Sequence, residues 1–132
     1  MNDAEAVRII RDAIPDVVAV YRFGSTVEGG THAASDVDLA FLAPRPLDPV
    51  RRFELQERLA VALRRDIDLI DLRAASTVMR MQVVSRGVVL AVLDPPEKER
   101  FETYTYASYA RLNEERKSIL EQVTREGTVY GR

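Results

Sequence analysis

Apolar residues follow two spacings along this chain, and the spacing changes from one segment to the next. A spacing of three to four residues indicates amphipathic helices, which are predicted at residues 4–14, 49–64, 74–86 and 95–125. Short runs that are apolar, β-branched or alternating indicate strands, which are predicted at residues 16–23, 36–42, 66–72 and 88–93. This order of elements predicts an α+β (mixed α/β) fold, with one mixed sheet, helices packed on it and a long C-terminal helix.

Breaks between the segments agree with this assignment. The stretch 24–35 is small and polar and predicts a loop, so the first two strands are expected to form a hairpin. The pairs Asp48-Pro49 and Asp94-Pro95 are typical helix starts, with a capping carboxylate followed by proline at the first helical position. The second helix is then expected to bury its apolar residues, namely Val50, Phe53, Leu55, Leu59 and Leu63.

Length and composition restrict the class of protein. The 132 residues predict a single domain over 1–132, with a core at about 4–93 and a C-terminal helix at about 95–125. Lys and Arg number 19 against 21 Asp and Glu, a balance that argues against general nucleic-acid binding. There is no cysteine, no apolar run of roughly 20 residues and no basic N-terminal leader. We therefore expect a cytoplasmic protein without a membrane association.

The predicted second strand begins with two acidic residues, Asp36 and Asp38, that share one face. Neighbouring carboxylates repel each other unless a cation lies between them, and hard oxygen ligands favour Mg²⁺, with Mn²⁺ as the alternative. If the strand at 66–72 pairs beside this one, Asp68 can reach the same face. Asp66 and Asp71 are the other acids of that strand, and Asp71 is expected to point the opposite way. On that basis an Asp71→Asn replacement is predicted to be nearly silent.

Gly24 and Ser25 directly follow the first predicted strand. Glycine lets the backbone approach a phosphate closely, and the serine hydroxyl can donate to phosphate oxygens. Either this pair or the acidic pair alone is common in proteins without any such function. Their combination with Asp68 predicts phosphoryl-type transfer, in which metal ions neutralise a triphosphate.

At these residues the chain resembles the DNA polymerase β-like nucleotidyltransferases, and among them the minimal nucleotidyltransferases (MNT). Their motif is a hydrophobic residue before Gly-Gly or Gly-Ser, a variable gap, and two acids that alternate with hydrophobic residues. The resemblance covers about residues 17–93. The matching residues are Phe23-Gly24-Ser25, Asp36-Val37-Asp38-Leu39 and, around the third acid, Ile67-Asp68-Leu69.

The resemblance implies an antitoxin of a HEPN–MNT toxin–antitoxin pair. It further implies a Mg²⁺-dependent protein adenylyltransferase that moves AMP from ATP to a tyrosine of the cognate HEPN ribonuclease toxin, with which it can also form an oligomer. Asp36, Asp38 and Asp68 would be both catalytic and metal-binding, whereas Gly24 and Ser25 would bind the nucleotide.

This sequence departs from the family in one respect. Many minimal members carry arginines shortly after Gly-Ser, but here Thr26, Val27 and Glu28 occupy those places. Arg22 is one cation that can compensate for their absence.

Two other functions remain open from the sequence. The first is an antitoxin that neutralises its toxin by binding alone, although binding would not require three clustered acids. The second is a small-molecule transferase of the aminoglycoside-modifying type, although a chain this short leaves little room to enclose such an acceptor. The tyrosines of the final helix fit an interface or the core equally well; they are Tyr104, Tyr106 and Tyr109.

Overall fold

The computed structural model describes residues 1–24 and 36–129, without the side chains of 127–129. All eight predicted elements are present in the predicted order, and their bounds differ from the prediction by only a few residues. The helices are α1 (Asp3–Ala13), α2 (Pro49–Leu63), α3 (Thr77–Arg86) and α4 (Pro95–Val129). The strands are β1 (Ala19–Phe23), β2 (Val37–Leu42), β3 (Ile67–Asp71) and β4 (Val88–Val92). No helix within the described residues is long and apolar enough to cross a membrane.

The four strands form one mixed sheet in the order β3-β2-β1-β4. β1 runs antiparallel to both β2 and β4, whereas β2 and β3 run parallel. The antiparallel pairing of β1 with β2 agrees with the predicted hairpin, although the connecting residues 25–35 lie outside the described part of the chain. α2 makes the crossover between the parallel strands β2 and β3, as such a connection requires.

Each face of the sheet carries its own apolar core. One core lies between the sheet and helices α1 and α2, and includes Ile10, Leu39 and Leu59. The other includes Tyr21 and Leu42 of the sheet, together with residues of α3 and α4. The sheet is covered on both faces, so its central strands β1 and β2 are almost entirely buried.

The predicted buried face of α2 is only partly correct. Leu55 and Leu59 are buried, but Val50 is 67% exposed and Phe53 is 47% exposed. The reason is geometric, because neither residue lies three or four positions from Leu55 and so neither shares its face. Leu63 does share that face, and it packs against the core while remaining partly exposed.

Polar residues of α2 close the outer edge of the sheet at β3. The Leu69 N–H donates to Gln56 Oε1 at 2.9 Å, and Arg52 Nη1 donates to the Leu69 carbonyl at 3.0 Å. Arg52 Nη1 also donates to Gln56 Oε1 at 3.2 Å. These two side chains therefore satisfy edge groups that would otherwise be available for pairing with another strand.

α4 is attached to the core through its first turns. Phe101 is buried, and the guanidinium groups of Arg73 and Arg80 lie 5.2 and 5.3 Å from the centre of its ring. Arg73 also pairs with Glu97 at 2.7 Å. Farther along, large apolar residues of the helix are exposed, among them Tyr104, Ile119 and Val123. The second half of the helix therefore extends beyond the core.

Replacing Phe101 with Ala is expected to lower the free energy of unfolding by about 3–5 kcal/mol, because a buried ring is lost and a cavity remains. Chemical denaturation monitored by circular dichroism measures the change. Phe53→Ala, at a residue 47% exposed, is the matched control and should cost much less. Equal losses in the two variants would contradict the position of α4 on the core.

Candidate active site

Strand register brings two of the predicted acids together. Asp38 of β2 lies opposite Phe23 of β1 and level with Asp68 of β3. Residues paired in this way project from the same face of a sheet, here the face that packs against α3 and α4. Asp36 lies two positions before Asp38, directly ahead of the strand. The three acids therefore meet at one end of the sheet, as the alternation of residues predicted.

The charges of these acids act on one another. Asp38 is half-buried, whereas Asp36 and Asp68 are exposed. Burial raises the pKa of the Asp38 carboxyl, and the negative charges of Asp68 and then Asp36 raise this pKa further. A positive charge placed among the three would remove the repulsion. The negative field at this end of the sheet thus favours a bound cation.

Gly24 closes the end of β1 directly beside Asp38. Its φ is +85°, a left-handed conformation that glycine adopts without strain. A Cβ atom at this position would collide with Asp38 Oδ2. The close approach of backbone to carboxylate therefore requires glycine here, for conformation and for space.

Gly24→Ala is expected to displace the Asp38 carboxylate and to weaken the binding of Mn·ATP, the ligand that the motif predicts. Backbone strain of about 1–3 kcal/mol corresponds to a loss of about five- to 150-fold in affinity. Isothermal titration calorimetry measures the affinity, and circular dichroism checks that the variant is folded. Parental affinity in a folded Gly24→Ala protein would show that the close approach has no role.

Comparison with known proteins identifies the domain. Residues 5–95 match the family described as polymerase beta, nucleotidyltransferase. The chain belongs to this family. The match contains β1, β2 and β3, and with them Gly24 and the three acids. The resemblance to polymerase β-like enzymes, and the fold that it implied, are thereby confirmed.

Relatives of this polymerase β-type nucleotidyltransferase match it over almost their whole length. The protein adenylyltransferase MntA of Shewanella oneidensis is 41% identical over 123 residues, which are 93% of this chain and 88% of MntA. A crystal structure of a toxin–antitoxin with AMP-PNP contains a chain that is 40% identical, with a TM-score of 0.84, and the match covers 94% of this chain and 99% of that one.

A third relative belongs to a complex in which the toxin is modified. This structure contains a tri-AMPylated HEPN toxin of Shewanella oneidensis with its MNT antitoxin. The matched chain is 38% identical with a TM-score of 0.77, and the match covers 92% of this chain and 95% of that one. The relatives thus support the minimal nucleotidyltransferase class that the motif indicated.

The acids of this nucleotidyltransferase fit a divalent metal by their chemistry. Three carboxylates supply hard oxygen ligands, which Mg²⁺ and Mn²⁺ prefer, and the pKa of Asp38 is raised first by burial and then by the negative charges of Asp68 and Asp36. Within the described ranges, however, the side chains of Asp, Glu, His and Cys form no group of three or more that could hold a metal ion. The backbone register therefore supports the metal site, and its ligand geometry remains a prediction.

Part of the predicted nucleotide-binding region lies outside the described residues. Ser25 and the three positions that lack the family's arginines fall in the stretch 25–35, so the role of Ser25 remains a prediction. Arg22 is described, and it does not fit the proposed compensating role. It lies opposite Leu39, on the other face of the sheet from Asp38, and Arg22 Nη1 donates to Asp3 of α1 at 2.9 Å.

Asp71 has a structural role that the sequence did not reveal. It points away from Asp68, as expected, but it is only 5% exposed. Its two oxygens accept hydrogen bonds from the backbone N–H groups of Leu47, at 2.7 Å, and Arg73, at 3.0 Å. The carboxylate thus connects the segment before α2 to the end of β3, and a silent Asp71→Asn replacement is no longer expected.

Asp71→Asn is instead expected to lower the free energy of unfolding by about 1–3 kcal/mol, because an amide offers only one accepting oxygen where two are used. Urea denaturation measures the change. Asp16→Asn removes an equal charge at an exposed position and should have little effect. If both variants were as stable as the parent, the two hydrogen bonds would contribute nothing.

Proposed function

We propose that this chain is a Mg²⁺-dependent protein adenylyltransferase that transfers AMP from ATP to a tyrosine of a cognate HEPN ribonuclease toxin, and so acts as its antitoxin. The observation that carries the proposal is the 41% identity to the adenylyltransferase MntA, over 93% of this chain. The complex of an MNT relative with a tri-AMPylated HEPN toxin supports the nature of the acceptor.

The reaction joins the tyrosine hydroxyl oxygen to the α-phosphorus of ATP. The bond between that phosphorus and the oxygen bridging to the β-phosphate breaks, and pyrophosphate leaves. In this proposal the Asp68 carboxylate accepts the proton of the hydroxyl as its oxygen attacks. The products are AMP-tyrosine and pyrophosphate, and the proton passes from Asp68 to solvent.

The other site residues bind and orient the nucleotide. Asp36, Asp38 and Asp68 would hold the metal, with Mn²⁺ as an alternative to Mg²⁺. A bound metal ion supplies positive charge against the triphosphate and the leaving pyrophosphate. Gly24 allows the backbone to approach a phosphate beside Asp38, and Ser25 donates its hydroxyl to a phosphate oxygen. We place the protein in the cytoplasm, where both ATP and the RNA substrates of a ribonuclease are found.

Incubation of the purified chain with its proposed cognate HEPN protein, Mg²⁺ and each of the four nucleoside triphosphates tests this proposal. Intact-mass spectrometry should show AMP units added to the HEPN protein with ATP, and none when the metal is chelated. Replacing the acceptor tyrosine with Phe should remove the addition. A HEPN protein of unchanged mass in the presence of ATP and Mg²⁺ would overturn the proposal.

A second candidate is neutralisation by contact alone, which the solved complexes of related antitoxins with their toxins favour. Catalysis and contact predict different products, since only catalysis leaves AMP on the toxin. A small-molecule acceptor of the aminoglycoside type finds no such support, because the relatives named above are described with a protein toxin.

A further inference from the structure

The strand order places the predicted site residues in a line across the sheet. Gly24 follows β1, Asp36 directly precedes β2, Asp38 is the second residue of β2, and Asp68 belongs to β3, the edge strand. Neighbouring strands are about 4.8 Å apart. In a displacement at phosphorus, the attacking and leaving oxygens lie on opposite sides of the reacting atom. If Gly24 and Ser25 bind the phosphates beside β1, as proposed, the acceptor approaches from the side of β3.

A groove opens on that side, directly next to Asp68. Its volume is about 450 Å³, and it runs between the outer edge of β3 and the start of α3. Asp68 lies at the groove, and the residues lining it include Ile70, Ala75 and Met79. Ile70 and Met79 are partly buried and pack against the core between the sheet and α3 and α4, so they provide a supported apolar surface.

We propose that this groove binds the tyrosine side chain of the acceptor, with its ring on Ile70, Ala75 and Met79 and its hydroxyl directed to Asp68. The inference rests on the proposed function, because it names where that reaction's acceptor binds. It assigns three apolar residues outside the acidic motif to acceptor recognition.

The chemistry of the groove matches this occupant. A tyrosine has an apolar ring and one polar tip. The groove offers apolar side chains next to the exposed carboxylate of Asp68, and its polar lining also includes Arg52 and Ser76. The thioether of Met79 is also suited to contact with an aromatic ring. An extended peptide pairing with β3 is disfavoured, because Arg52 and Gln56 already occupy the edge hydrogen-bonding groups of Leu69. The groove therefore admits a side chain in preference to a strand.

Methionine methyl groups provide a direct test that requires no transfer reaction. The chain contains three methionines, Met1, Met79 and Met81, and only Met79 lines the groove. With ¹³C-methyl methionine, N-acetyl-tyrosinamide is titrated into the parent protein in the presence of Mg²⁺ and an α,β-methylene ATP analogue. The Met79 resonance should shift saturably, whereas those of Met1 and Met81 should stay in place. An unshifted Met79 resonance at saturating probe would overturn the inference.

Filling the groove tests the same point by kinetics. Ala75→Trp should raise the KM for the HEPN acceptor about tenfold or more while the affinity for Mn·ATP stays within about twofold. Ala62→Trp, at an exposed position of α2 outside the groove, is the control for added bulk. Loss of affinity for Mn·ATP in Ala75→Trp would overturn the inference and assign the groove to the nucleotide. An unchanged KM for the HEPN acceptor in a folded Ala75→Trp variant would show that the groove has no role in acceptor binding.

The two proposals can fail separately. If the parent leaves the HEPN protein unmodified but the Met79 resonance still responds to N-acetyl-tyrosinamide, the proposed function fails and the tyrosine-binding groove remains. If AMP is transferred but neither Met79 nor the acceptor KM responds, the function remains and the groove is excluded as the acceptor site.

Discussion

Replacing Asp36 and Asp38 together with Asn is expected to abolish AMP transfer and to remove detectable binding of Mn·ATP. Both residues face the same end of the sheet, and burial and the neighbouring carboxylates already raise the pKa of Asp38. Without their charges, the predicted metal loses two of its three protein ligands. Metal ions contribute several kcal/mol to such reactions, so a rate loss of at least about a thousandfold is expected.

This variant should fold at least as well as the parent, because the replacement relieves repulsion between neighbouring carboxylates. A melting temperature equal to or above that of the parent would separate loss of the site from loss of the fold. Calorimetric titration with Mn·ATP provides the binding measurement. If the double variant bound Mn·ATP as tightly as the parent, the assignment of the metal site to these residues would be wrong.

Asp68→Asn is expected to separate catalysis from binding. Asp68 lies on a different strand from the other two acids and is exposed, so its replacement should leave the fold and much of the nucleotide affinity intact. It removes the proposed acceptor of the tyrosine proton, together with one metal ligand. Loss of positioned acid–base help typically reduces the rate by about 10²–10⁴.

Single-turnover AMP transfer to the HEPN protein measures this effect, and calorimetry measures binding of ATP and of the HEPN protein by the same variant. Asp16→Asn is the suitable charge control, since Asp71 is buried and structurally engaged. Transfer at the parental rate by Asp68→Asn would remove this residue from the mechanism.

The acidic site could be predicted from sequence because its main relation is local. The side chains of Asp36 and Asp38 share a face in any strand, whatever lies beside it. The pairing of Asp68 with Asp38 is not local, and the alternating pattern of residues 66–72 allowed it without fixing the register. The observed register, with Asp38 level with Asp68, depends on the crossover through α2 and on packing against both faces of the sheet.

What the sequence could not provide were roles that depend on distant neighbours. Arg52 and Gln56 lie on the inner face of α2, where they form hydrogen bonds with the backbone of Leu69 at the edge of β3. The spacing of residues within the helix gives no sign of this contact with β3. From the sequence, Asp71 cannot be distinguished from the other acids of the alternating strand. Its structural role follows only from the two backbone N–H groups that donate to it. The groove beside Asp68 is likewise formed by α3 and β3 together.

The most direct test of the central claim is the intact mass of the HEPN protein purified from cells that co-express it with this chain or with the Asp38→Asn variant. We expect AMP units on the HEPN protein beside the parent chain and none beside the variant, with growth protected only in the first case. A HEPN protein free of AMP beside the parent chain, in cells that nevertheless grow, would contradict catalysis and assign the neutralisation to contact alone.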